Sequence, residues 1–250
     1  MKAVILAAGM GKRMKHHTKN KPKTLVQLRG KPLIFYILES LSSQGIRDII
    51  IVTGFGDKKL REVVGDGNEW KLNIEYVNNP RYDSTNNIYS LSLVNKAVEN
   101  DGFLIINSDV FFHPQILRRL IYAEQKGIIL MVDVEKELGE EEMKVTIENT
   151  RIIDIGKEIP IANSDGEYIG LSRIDSEFTS LFFNIIKEVL LDKGTGVFYE
   201  EAFKRLIEKG IKVKYTTTNG YPWIEIDTPE DLRKAEAEIA SEMENNLFSK

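Results

Sequence analysis

Cysteine is absent from this chain of 250 residues, which excludes a disulfide framework and a thiolate zinc site. No run approaches the roughly 18 consecutive apolar residues of a membrane span, and the chain enters a strand-like run at once. No signal peptide or membrane segment is therefore expected, and the cytoplasm is the expected compartment. Positive charge is not in excess: the formal net charge is −4, which argues against a general nucleic-acid binder. Internal repeats, low-complexity tracts and linkers are missing. One further absence is local. Residues 1–31 contain no acid, yet they hold Lys2, Lys12, Arg13, Lys15, Lys19, Lys21, Lys23, Arg29 and Lys31. Such a segment is either an unevenly charged solvated surface or an anion site for a strongly charged ligand.

Strand-like and helical patterns alternate along the first half. Lys2–Leu6 reads as a strand and Lys31–Ser43 as a helix, with Pro32 in its first turn and Gly45 beyond its end. Asp48–Val52 is a strand, Lys58–Val64 a short helix and Asn73–Val77 a strand. Asn87–Val98 carries Ile88, Leu91, Val94 and Val98 at helical spacing; Gly102–Asn107 is a buried strand and Pro114–Gln125 a helix. This order predicts an α/β fold with a Rossmann-like, doubly wound, mostly parallel sheet. From Ile128 strands crowd together, at Ile128–Val134, Lys144–Glu148, Arg151–Ile155 and Tyr168–Ile174, with Asn149-Thr150 as a hairpin turn. Helices near Phe178–Leu191 and Tyr199–Lys209 and strands at Lys212–Thr217 and Pro222–Ile226 follow. Thr228-Pro229-Glu230-Asp231 then starts a last helix. The expected organisation is one domain over residues 1–232, with a nucleotide-binding first half and an antiparallel, substrate-shaping second half. A C-terminal helix and tail would occupy residues 233–250.

The stretch VILAAGMGKRM at residues 4–14 joins a buried strand to small residues and then to bases. It lacks the third glycine of a dinucleotide fingerprint, since Met14 stands there, and the second strand ends Val52-Thr53-Gly54 without the acid that would hold a ribose hydroxyl. It also lacks the G-x-x-x-x-G-K-[ST] spacing of a P-loop. What remains is a loop in which Gly9 and Gly11 let backbone N–H groups approach phosphates. Arg13 can fork onto phosphate oxygens, and Lys23 is a mobile point charge. Acids at the ends of predicted strands are candidate metal ligands. Asp109 follows FLIINS, Asp227 closes WIEID, and Glu225 shares the Asp227 face of its strand. The alternative readings are a surface turn aspartate for Asp109 and a helix cap for Asp227. Thr85-Asn86-Asn87 at a helix start either caps that helix or also reads a base edge, and Thr53-Gly54-Phe55-Gly56 could close around the base. His16 and His17, being adjacent, read as loop surface.

Leu6, Ala7, Ala8, Gly9, Gly11, Arg13 and Met14, followed by Pro22-Lys23, resemble the two-part signature of the sugar-nucleotidyltransferase-like (MobA-like) family. NNIYSLSLV, INSDVFF, DGEYIGLSRI and PWIEIDTPEDL resemble further landmarks of its small cytidylyltransferases, so the likeness spans nearly the whole chain. The resemblance implies the nucleotide-diphospho-sugar transferase type of fold. It implies a Mg2+-dependent transfer of CMP from CTP to a phosphorylated polyol, inositol 1-phosphate first, with release of pyrophosphate. Arg13 and Lys23 would be catalytic. Leu6, Ala7, Ala8, Gly9, Gly11, Lys12, Gly54, Thr85, Asn86 and Asn87 would bind the nucleotide, and Asp109 and Asp227 would converge on the metal. Glu167 and Arg173, with Ser172, offer hydrogen bonds to a polyol. An aromatic cage for choline phosphate could instead come from Tyr168, Tyr221, Trp223 and Phe178. A sugar 1-phosphate, the molybdenum cofactor with GTP, and a regulatory homologue without catalysis are the other readings. A homodimer is compatible with all of them.

Overall fold

Strand β1 (Lys2–Ala7) is apolar on both faces because helices cover both sides of its sheet. Val4 and Leu6 pack into one core layer, and Ala3, Ile5 and Ala7 into the other. The chain is described from a computed structural model covering residues 1–19 and 21–239. After β1 and the loop come two short strands, β2 (Gln27–Leu28) and β3 (Lys31–Pro32), paired as a hairpin. Helix α1 (Leu33–Ser43), β4 (Asp48–Thr53), α2 (Asp57–Val64), β5 (Asn73–Asn78), α3 (Asn87–Ser92) and β6 (Phe103–Asn107) follow. Then come β7 (Val110–Phe112), α4 (Pro114–Ile121), β8 (Ile128–Asp133), β9 (Lys144–Glu148), β10 (Arg151–Gly156) and β11 (Gly166–Ile174). Helices α5 (Ser176–Lys193) and α6 (Glu200–Glu208), strands β12 (Val213–Thr217) and β13 (Trp223–Glu225), and α7 (Pro229–Lys234) complete the order.

The main sheet runs β5-β4-β1-β6-β11-β8-β12-β10-β9. The pairs among β5, β4, β1 and β6 are parallel, as is β12 with β8; β11 runs antiparallel between β6 and β8. The expected split into a parallel half and a largely antiparallel half is thus present. A bulge at Gly170 (φ 80°) re-aims β11, and a Cβ there would come within 2.5 Å of the Asn107 amide. Helices α1, α2 and α4 bury Ile34, Ile37, Leu60 and Ile116 against one face; α3, α5 and α6 bury Ile88, Phe182 and Phe203 against the other.

Three elements depart from the sequence reading. The spacing over Asn87–Val98 marks burial, not one helix: all four apolar positions are fully buried, but α3 ends at Ser92 and a separate turn spans Asn95–Val98. The helix expected over Pro114–Gln125 stops at Ile121, for a reason described below. The strand expected at Pro222–Ile226 lies outside the main sheet, pairing antiparallel with β7 in a small ribbon. Helix α7 starts as expected, on a capping box between Thr228 and Asp231. The helix continues as a wider turn over Ala235–Ile239, and the expected tail from residue 240 onward lies outside the described residues. Among the described residues no helix is long and apolar enough to cross a membrane.

Candidate active site

Parallel strands aim their carboxyl ends at one edge of the sheet, and there a cleft of about 1150 Å³ opens. Its first wall is the loop after β1. Gly11 adopts φ 58°, and a Cβ there would lie 2.8 Å from Lys23 Cβ, so only glycine lets these two segments meet. The Thr18 hydroxyl donates to the Gly11 carbonyl at 2.8 Å and holds the loop closed. Met14 is fully buried, in a small core with Val26, Phe111, Ile226 and Leu232, so it anchors the loop while Arg13 stays at the surface. Leu6, Ala7, Ala8, Gly9, Gly11, Lys12 and Arg13 all line the cleft, and Gly9 faces open space.

Opposite this loop stand the acids. The ribbon of β7 with β13 sets Glu225 across from Val110, and the Ile226 N–H donates to the Asp109 carbonyl at 2.9 Å. That pairing brings together two segments far apart in sequence. Asp109, Glu225 and Asp227 each present a carboxylate oxygen, all within 4.8 Å of one another. Lys23 Nζ sits between two of them, 2.7 Å from Asp109 and 2.5 Å from Asp227, while Arg13 Nη2 donates to Asp227 at 2.6 Å. Burial works against the Lys23 charge, but Asp109 and Asp227 more than offset it and hold the ammonium well above its ordinary pKa. Burial likewise opposes the Asp227 charge, and Lys23 and Arg13 overcome it to keep that carboxyl below its ordinary value. Glu225 is exposed and lines the cleft. Partial desolvation by the cleft walls, then the like charges of Asp109 and Asp227, push its carboxyl up to about 8. An oxygen-only set of three converging carboxylates beside one stabilised cation fits a hard divalent metal ion.

The remaining wall is polar. Asn79 Nδ2 donates to Thr85 Oγ1 and to Ser90 Oγ, at 3.1 and 3.0 Å. Asn86 Oδ1 accepts from the Asn87 N–H at 2.8 Å, and Asn87 Oδ1 accepts from the Tyr199 N–H at 2.8 Å. Thr85, Asn86 and Asn87 therefore line the cleft and also tie α3 to the start of α6. Asn79, Tyr82, Asn107, Ser108 and Glu200 line it as well. Asn79, Tyr82 and Glu200 have no motif around them in the sequence, whereas Asn107 and Ser108 lie inside INSDVFF.

Two expected site residues lie elsewhere. Gly54 packs behind the loop, where a Cβ would be 2.7 Å from the Ala8 carbonyl and 2.5 Å from Tyr82 Cβ. It positions Ala8 and does not touch the cleft. Arg173 is 3% exposed and lies beneath α4. Its guanidinium donates to the carbonyls of Leu120, Ile121, Ala123 and Gln125 and pairs with Asp175. It caps the helix, which is why α4 ends early. Ser172 is fully buried in the sheet. Of the three residues offered for a polyol, only Glu167 lines the cleft. Of the aromatics, Phe178 packs against the core, while Tyr168, Tyr221 and Trp223 line the cleft. His17 is half-buried in the loop turn; the His16 side chain lies outside the described residues.

Residues 3–144, which hold the loop after β1 and Asp109, match the model of the MobA-like NTP transferase domain. This chain belongs to that family. It is 30% identical to CTP:phosphoglutamine cytidylyltransferase of Campylobacter jejuni, over 93% of this chain and 98% of that one. It is also 30% identical to choline-phosphate cytidylyltransferase of Streptococcus pneumoniae, over 97% and 100%. The solved inositol-1-phosphate CTP transferase from T. maritima superposes with a TM-score of 0.83 at 26% identity, covering 97% of this chain and 96% of that one. The MobA-like chain is thus a nucleotidyltransferase, and the two curated relatives named above are cytidylyltransferases.

Proposed function

We propose that this MobA-like enzyme transfers CMP from CTP to the phosphate of a small phosphorylated alcohol. The observation that carries this is Lys23, held by Asp109 and Asp227 directly across from the Gly9–Gly11 loop. A triphosphate lying along that loop would put its α-phosphorus beside Lys23. An oxygen of the acceptor's phosphate attacks that phosphorus in line; a new P–O bond forms as the bond to the β-phosphate breaks, and pyrophosphate leaves with the electron pair. The nucleophile is already an anion, so no covalent enzyme intermediate and no general base are needed. Catalysis comes from positioning and charge neutralisation. Backbone N–H groups of the loop and Arg13 bind the departing phosphates, and Lys23 meets the charge growing at the α-phosphate. Asp109, Asp227 and Glu225 would hold Mg2+, whose charge offsets that of the phosphates.

Inositol 1-phosphate as acceptor is supported by the overall likeness to the T. maritima enzyme. It has little residue-level support, because Arg173 and Ser172 face away from the cleft. The deciding experiment is pyrophosphate release with each of four nucleoside triphosphates against inositol 1-phosphate, choline phosphate and glucose 1-phosphate. CTP is the expected donor; turnover with another nucleotide alone, or a labelled nucleotidyl-enzyme trapped without acceptor, would count against the scheme.

A further inference from the structure

Beyond the carboxylate cluster the cleft turns acidic and aromatic. Lys136 Nζ lies 5.0 Å over the centre of the Trp223 ring, 2.7 Å from Glu167 and 3.6 Å from Glu142. The Trp223 indole N–H donates to Asp133 at 2.6 Å, which fixes the ring face toward the cleft. The partners differ in exposure: the Glu167 side chain is 5% exposed, the Lys136 side chain 41%. A second acid faces the same cleft. Glu200 is 6% exposed, lines the cleft at the start of α6, and its Oε2 has no hydrogen-bond partner among the described residues. Around Trp223, Glu167 and Glu142 share one half-exposed lysine and Asp133 adds a third carboxylate, which leaves the region short of positive charge.

We propose that this region is a subsite for a positively charged nitrogen on the acceptor, an ammonium or quaternary ammonium, and that Lys136 fills it until the acceptor arrives. The inference rests on the nucleotidyl-transfer reading. The acceptor's nitrogen takes the place of Lys136 Nζ over Trp223 and beside Glu167, with Glu142 and Asp133 adding negative charge. A neutral polyol can donate hydroxyls to these carboxylates but cannot compensate their charge. An aromatic face with flanking acids is selective for a cation.

The test uses the full chain with CTP and Mg2+, comparing choline phosphate, ethanolamine phosphate and inositol 1-phosphate. Higher kcat/KM for the cationic acceptors, by about tenfold or more, is expected. Trp223→Leu should raise KM for choline phosphate about tenfold with little change in kcat, and Trp223→Phe should recover most of the loss. Lys136→Ala should lower KM for choline phosphate, because the internal competitor is gone; a merely structural lysine would give the opposite sign. If Trp223→Leu does not fold, Glu167→Gln takes its place, with the same selective rise in KM. Preference for inositol 1-phosphate, or equal KM effects on neutral and cationic acceptors, overturns the subsite while leaving cytidylyl transfer standing. Calorimetry of CTP with Mg2+ separates the two: absence of CTP binding overturns the parent reading and the subsite with it.

Discussion

Single residues at the cleft carry opposed demands of stability and chemistry. Lys23 is the clearest case, since it neutralises Asp109 and Asp227 and stands where charge develops. Lys23→Ala should lower kcat by about 10²–10³-fold, the loss for one transition-state charge contact. It also leaves a cluster of carboxylates without their internal cation, at about 3 kcal/mol in metal-free buffer. Millimolar Mg2+ should restore most of that stability but not the turnover. Thermal melts with and without Mg2+ check this, and a metal-independent loss would place Lys23 in the fold alone. Glu200 gives a pH signature. Its carboxyl rises from 4.5 to about 7, chiefly through burial and then through Asp109, with Lys157 opposing. The folded state therefore holds a proton that the unfolded chain has released. This contribution is absent below the unfolded value and destabilises progressively from about pH 4.5 to about pH 7, by about 3 kcal/mol in all. Glu200→Gln should match the parent protein near pH 4 and melt higher than it near pH 8. A difference in Tm that does not vary with pH would refute the assignment.

At the level of elements, Arg173 shows what a pattern cannot reveal. GEYIGLSRI looks like a landmark of a substrate wall, and Glu167 at its start does face the cleft. Strand alternation and the bulge at Gly170 then turn the later residues under α4, where Arg173 ends the helix. Arg173→Met should remove the donors for four carbonyls and the partner of Asp175, costing about 3–5 kcal/mol. The folded fraction should keep its KM for CTP and acceptor; denaturant titration and initial rates report the two separately. Weakened acceptor binding at unchanged stability would return Arg173 to the site. Elements with long apolar runs, such as Lys2–Ala7 and Asp48–Thr53, were legible because burial on both faces leaves one reading. The β7–β13 ribbon was not, because it is made by pairing Phe111 with Ile224 across the chain, and neither segment signals its partner. For the same reason Asp109 and Asp227 could be picked as strand-end acids, but their convergence with Glu225 is a product of that ribbon.

Over the whole molecule, the cleft joins both halves of the sheet. The loop after β1 and Asp109 come from the parallel half, while Glu167, Glu200, Glu225 and Asp227 come from the later half. Bases from an acid-free N-terminal segment thus face acids delivered by distant strands, which is why charge imbalance could be noticed in the sequence but its counterpart could not. A nucleotide bridging the two sides should act as a global brace. Ligand at about 100 times its Kd adds about 2.7 kcal/mol to a folded state that alone binds it. For a chain of this size each kcal/mol raises Tm by about 2–4 °C, so saturating CTP with Mg2+ should raise it by about 5–10 °C. CTP without the metal should do less, because phosphates and carboxylates then repel across the cleft, offset in part by Lys23 and Arg13. The Asp109→Asn variant should shrink the gap between the two conditions, since it removes one charge that the metal must offset. If the melt shifts equally with and without Mg2+, the carboxylate cluster is not the metal's seat, and Lys23 and Arg13 alone must neutralise the triphosphate.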